Sequence, residues 1–229
     1  MHRGGYPFYG LPLGQDRFYF GPTETAFEGD ARNVHADRAD LEFLLGEANH
    51  LLPGLGLKLK HVEQCWAGVR PLTEDAQRPM GARERKVHDL SLQGFENVLA
   101  MTAGPVMSMR SAGRRMLSEV AARIGPPKAR PQVRLGHTPQ TPTDAVTLAV
   151  THEHAPDLYA VLARRTGAIW SGMVSREDAT QTADTIAPLF GWTDIRKASE
   201  IEAFLKRQET EFCVPQHDRK RPDQPAMRP

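Results

Sequence analysis

The chain has 229 residues, of which 40% are hydrophobic and 25% charged, ordinary proportions for a globular protein with room for one large or two small domains. A formal net charge of +1 gives no general attraction to nucleic acid or to an anionic membrane, so a nucleic-acid partner is not expected. No run of about 18 apolar residues occurs, and the opening MHRGGYPFYG lacks an apolar signal core, so neither a spanning helix nor export is indicated. Cys65 and Cys213 lie far apart with no pairing spacing, which fits a reducing cytosol and argues against a disulfide scaffold.

Tyr6 to Leu13 and Phe18 to Phe20 read as two short extended runs joined by a turn at Asp16-Arg17 and halted by Gly21-Pro22. Asp37 to Leu52 is an amphipathic helix. Leu41, Leu44, Leu45, Ala48 and Leu52 repeat at helical spacing, with Asp37 as cap and Pro53-Gly54 as stop.

His61 to Leu72 is a β-type run (Val62, Cys65, Trp66, Val69) that should end at Arg70-Pro71, because proline cannot donate to a ladder. Arg83 to Leu90 follows as a strand after the polar loop 73–82. Arg70 and Arg83 thus flank a loop, and Arg85 shares a strand face with Arg83. A planar guanidinium can donate two parallel bonds to a phosphate, although either arginine could equally pair with a nearby carboxylate.

Asn97 to Thr102 is a short apolar run broken by Ala103-Gly104-Pro105, and a helical pattern runs from Met107 to Ile124. A strand, a tight glycine turn and a helix start can aim backbone N–H groups at an anionic or electron-rich atom. The same residues also fit a plain surface loop with nothing bound. Ala112, Met116, Leu117, Val120 and Ala121 share one stripe of the helix, and the arginines at 110, 114, 115 and 123 face elsewhere.

Residues 126–142 hold five prolines and little periodicity, which reads as a linker. Beyond it the chain reads as all helical. Expected helices cover Asp144 to His152, Ala155 to Arg165, Ser175 to Phe190 with Gly191 as stop, and a fourth opened by a Ser199–Glu202 capping box. Trp170 and Trp192 are expected to pack between them. His152-Glu153-His154 lacks the i, i+4 spacing of a zinc helix, so no metal site is expected. Residues 213–229 read as a polar, proline-rich disordered tail.

The expected fold class is α+β: a partial antiparallel or mixed sheet with packed helices over 1–125, the linker 126–142, then a small all-α accessory domain over 143–212.

WAGVRPL, then ARERKVHD, then a glycine turn entering an arginine-bearing helix resembles the C-terminal half of the FAD-dependent, quinone-linked glycerol-3-phosphate dehydrogenases. That family shows a G-x-R-P-L, an S-R-E-H-like segment and a G-G-K-x-T-T-Y-R turn. FGPTET with Glu28-Gly29-Asp30 resembles its G-T-T-D-T segment, and Arg164-Arg165 and Gly191-Trp192 resemble its C-terminal helical domain. The likeness runs from residue 6 to about 212. It implies FAD as cofactor, with glycerol 3-phosphate oxidised to dihydroxyacetone phosphate by hydride transfer to flavin and a quinone as electron acceptor. It implies that Arg70 and Arg83 bind the substrate phosphate and that Ala103 and Gly104 border the flavin. No individual catalytic residue is assigned.

Two departures stand out. Pro105 occupies the position of the family's lysine, and proline offers neither a cation nor an N–H. No G-x-G-x-x-G occurs, so the main FAD pocket is expected in another, N-terminal flavin-binding half. The chain is then a C-terminal portion, inactive by itself, in the cytoplasm or peripheral on the inner membrane face. The alternatives are a non-catalytic remnant, a subunit completing another flavoprotein, or a flavin oxidoreductase acting on an amine or hydroxy acid.

Overall fold

Capping and apolar spacing shape most of the helices, and a computed structural model describes residues 8–25, 27–70, 84–102, 106–129 and 138–215. The class is α+β. Strands β1 (Tyr9–Leu13) and β2 (Arg17–Gly21) pair antiparallel, with Leu11 opposite Tyr19. Strands β3 (Lys86–Asp89) and β4 (Leu99–Thr102) form a second antiparallel pair, with Val87 opposite Met101.

Helix α1 spans Arg38–Leu51. Its start is held by the Asp37 N–H donating to Asp40 Oδ2 at 3.2 Å, which gives one otherwise orphaned donor a partner. It buries Leu41 and Ala48, and Glu47 beside them. Helix α2 spans Met109–Ile124 and α3 spans Pro142–Thr151. In α3, proline sits at the first position and Thr141 and Asp144 exchange reciprocal capping bonds of 3.1 Å. A π-wound turn follows at Ala160–Arg165, then α4 (Arg176–Phe190) and α5 (Asp194–Phe212). Helix α4 opens with Ser175 Oγ accepting from the Asp178 N–H at 3.0 Å. It closes at Gly191, whose φ of 64° is left-handed and suits glycine.

Contacts divide the chain into two compact units. One combines Met1–Gly68 with His137–Pro229, and the other is Val69–Gly136. In the first, α3, the π-wound turn, α4 and α5 bury Leu158, Val161, Ile169, Ala183, Ile186 and Phe204 in one core. Trp192 packs on this core and stacks on Phe190, ring centroids 4.9 Å apart. The N-terminal segment joins the same unit. Trp66 meets Tyr19 on one side and Trp170 and Phe212 on the other. Arg17 donates to the Ser171 carbonyl and pairs with Glu63 at 3.3 Å.

Two local expectations change. Residues 62–70 form no strand: Leu59–His61 is a single 3-10 turn, and beyond it Cys65 and Trp66 meet the end of α5. Apolar residues of β-type need cover, and here a helix end supplies it rather than a ladder. Ser199 lies inside α5, which starts at Asp194 and is capped by Thr193, whose Oγ accepts the Arg196 N–H at 3.2 Å.

Candidate functional site

The segment expected to carry the chemistry falls in the unit Val69–Gly136. Arg70 is exposed at the end of the extended segment 62–70. Arg83, Ala103, Gly104 and Pro105 lie outside the described residues.

Around them the frame is clear. Helix α2 is tied to β3 at both ends. At its start, Arg85 donates from Nη1 to Ser111 Oγ at 3.0 Å, from Nη2 to the Ser108 carbonyl at 3.2 Å, and also to Ser108 Oγ. At its far end, Arg123 Nη2 donates to Asp89 Oδ2 at 2.8 Å. Asp89 is held down to about 2, chiefly by the Arg123 guanidinium and then by the Ser91 N–H. The same contact pushes Arg123 upward.

The two ties lay α2 alongside β3. His88 Nε2 and Thr102 Oγ1, 2.7 Å apart, join the two strands at the end of β4. The guanidinium of Arg85 is thus engaged with the first turn of α2. Its strand-face position beside Arg83 makes it a second candidate for the phosphate-binding role that the family resemblance implies, and its serine partners, 23 and 26 positions away, carry no periodic signal. Arg115 and Arg123 both pair with Glu119 along the helix.

In this unit no described residue is buried. Leu92, Met107 and Ile124 are 95%, 85% and 82% exposed. A hairpin and a 16-residue helix without one buried side chain hold no core of their own.

A dinucleotide pyrophosphate site needs a strand, a glycine-rich turn and a helix within a parallel βαβ unit. Both sheets among the described residues are antiparallel pairs, and these residues form no such cradle. FAD therefore does not fit them as its main pocket. The concavity on α4 lined by Glu177, Thr180, Gln181 and Asp184 is acidic and open, unsuited to a phosphate. No helix among the described residues is long and apolar enough to cross a membrane.

The chain is similar to curated proteins from several bacteria. A Synechocystis "Glycerol-3-phosphate dehydrogenase" is 26% identical over 121 residues, covering 52% of this chain and 22% of that protein. A Staphylococcus haemolyticus "Aerobic glycerol-3-phosphate dehydrogenase" is 24% identical over 123 residues, 53% of this chain and 21% of that one. A Streptococcus pneumoniae "Alpha-glycerophosphate oxidase" is 30% identical over 88 residues, 38% and 14% of the two chains. The match thus spans only a small part of each relative. The profile of the "FAD dependent oxidoreductase" family matches residues 2–116, half of the chain. From β1 to the middle of α2, this chain belongs to the FAD-dependent oxidoreductase family.

Proposed function

We propose that this chain supplies the substrate-side, C-terminal portion of an FAD-dependent enzyme that oxidises glycerol 3-phosphate to dihydroxyacetone phosphate. FAD accepts the hydride and a quinone receives the electrons, with the enzyme in the cytoplasm or peripheral on the inner membrane face. Arg70 and Arg83 hold the substrate phosphate through charge-assisted bonds, and the Ala103-Gly104 turn borders the flavin. An N-terminal flavin-binding half carries the main dinucleotide pocket.

The observation that carries this reading is the exposure of the unit Val69–Gly136, of which the residues up to 116 lie within the family match. Leu92, Met107 and Ile124 stand in solvent on a segment with no buried residue among those described. A surface of that kind is built to be covered. A flavin-binding half is the cover that the family profile favours.

A second reading rests on Pro105 at the position of the family's lysine: a non-catalytic module that completes another flavoprotein. The test is flavin absorbance and glycerol 3-phosphate-dependent quinone reduction, for the chain alone and co-expressed with a candidate dinucleotide-binding half. The proposal expects both signals in the pair and neither in the chain alone. Flavin retained by the chain alone would overturn the division of the pocket, and a flavin-loaded pair without turnover would favour the second reading.

A further inference from the structure

Cys65 and Cys213 are 148 positions apart, and folding sets them side by side. The Cys65 N–H donates to the Phe212 carbonyl at 3.2 Å, and its Sγ lies 3.3 Å from the Cys213 carbonyl oxygen. Covalent geometry on either side of the N–H bond caps the separation of the two Cα atoms at about 7.5 Å, and the angles along that path shorten it toward the roughly 4.4–6.8 Å that disulfides span. Both thiols are free; Cys65 is buried and Cys213 is exposed.

We propose that Cys65 and Cys213 are a thiol-oxidation site at which a small disulfide oxidant, such as oxidised glutathione, forms an intramolecular cross-link between residues 62–68 and the end of α5. The exposed Cys213 thiolate attacks one sulfur of the oxidant, whose S–S bond breaks and releases one glutathione thiolate. Cys65 then loses its proton and attacks the Cys213 sulfur, expelling the second glutathione thiolate. The two protein thiols give up two electrons and two protons, and the oxidant leaves as two thiols.

The order follows from the environments. Burial, with smaller contributions from Cys213 and Asp40, pushes the Cys65 thiol up to about 11, so it is a poor first nucleophile. Accessible Cys213 is the point of entry, and closure by Cys65 quickens as pH rises. The cross-link would join Phe212 and Trp66, already tilted ring against ring at 6.4 Å, through a covalent bond beside them. It does not depend on the flavin reading.

The test is incubation of the full chain with oxidised glutathione at about pH 8, followed by alkylation of remaining thiols, digestion and mass spectrometry. The expected product is a linked Cys65–Cys213 peptide pair, two hydrogens lighter than the separate peptides and lost on reduction. The oxidised monomer should also melt higher than the reduced one, by about 5–10 °C for so long a closed loop. Cys213→Ser should keep the fold and abolish the cross-link. Glutathione retained on Cys213, a dimer through Cys213 or an unreacted pair would each overturn the proposal.

Discussion

The side chain of Gln208 pairs with both backbone groups of Val174. The Val174 N–H donates to Oε1 at 2.7 Å, and Nε2 donates to the Val174 carbonyl at 3.0 Å. Gln208 is buried within α5, and Val174 belongs to the irregular passage before α4. Asn49 does the same for Leu57, at 2.6 and 2.8 Å, fastening the chain that leaves α1. In both places an amide replaces the hydrogen bonds that a regular element would have provided.

Gln208→Ala should lower stability by about 1–3 kcal/mol, because it leaves a partly buried N–H and carbonyl without partners. Urea unfolding followed by circular dichroism would measure it. A midpoint equal to that of the parent chain would show that water replaces the amide without loss.

Trp170→Ala should destabilise the larger unit by about 2 kcal/mol, less than a fully buried aromatic because the ring keeps partial exposure. It removes edge contacts to Trp66 at 4.9 Å and Phe212 at 5.4 Å, and the Nε1–H bond to the Ala163 carbonyl. Near-ultraviolet circular dichroism should lose the signal of the paired indoles. A retained signal would mean the pair is not formed in solution.

Asp89 should titrate near 2. A depressed carboxyl contributes stability that is complete above its ordinary value of about 3.9 and lost as pH falls through the folded value. Carbon NMR of the side chain would give the midpoint, and Arg123→Gln should move it up toward the ordinary value. Both partners are about half exposed, so added salt should narrow the difference.

Arg85→Ala should loosen the first turn of α2, since Ser108 and Ser111 lose their common donor. Amide exchange in that turn should rise roughly tenfold, for a loss of about 1.4 kcal/mol. Unchanged protection there would show that the helix start is held by something else.

Arg70→Ala, in the chain paired with its flavin-binding half, should raise the KM for glycerol 3-phosphate roughly a hundredfold, as expected for removing a charge-assisted phosphate contact. Flavin content should stay constant. An unchanged KM would remove Arg70 from the substrate site.

The sequence by itself determined the features that depend on neighbours within one helical turn. Asp37 with Asp40, Thr141 with Asp144, and Ser175 with Asp178 mark helix starts because a capping bond closes over three residues. Glycine at 191 marks a stop through its own φ. The run from WAGVRPL to the glycine turn also carried the family, which is a matter of residue order. Local reading reached its limit at Ser199, where a Ser–Glu spacing mimics a cap, while Ile195 is 85% exposed and adds no apolar stripe to reveal the earlier turn of α5.

Tertiary structure alone decided the remainder. Cys65 and Trp66 belong to a run of β-type residues, yet they meet a helix end, because burial requires a cover and does not specify a ladder. Spacing along the chain gives no sign that Arg85 meets Ser108 and Ser111. Met1–Gly68 joins His137–Pro229 across the intervening unit, and Cys65 reaches Cys213 across 148 positions. Such pairings depend on which surfaces can be buried together after the local elements form, and spacing along the chain does not encode them.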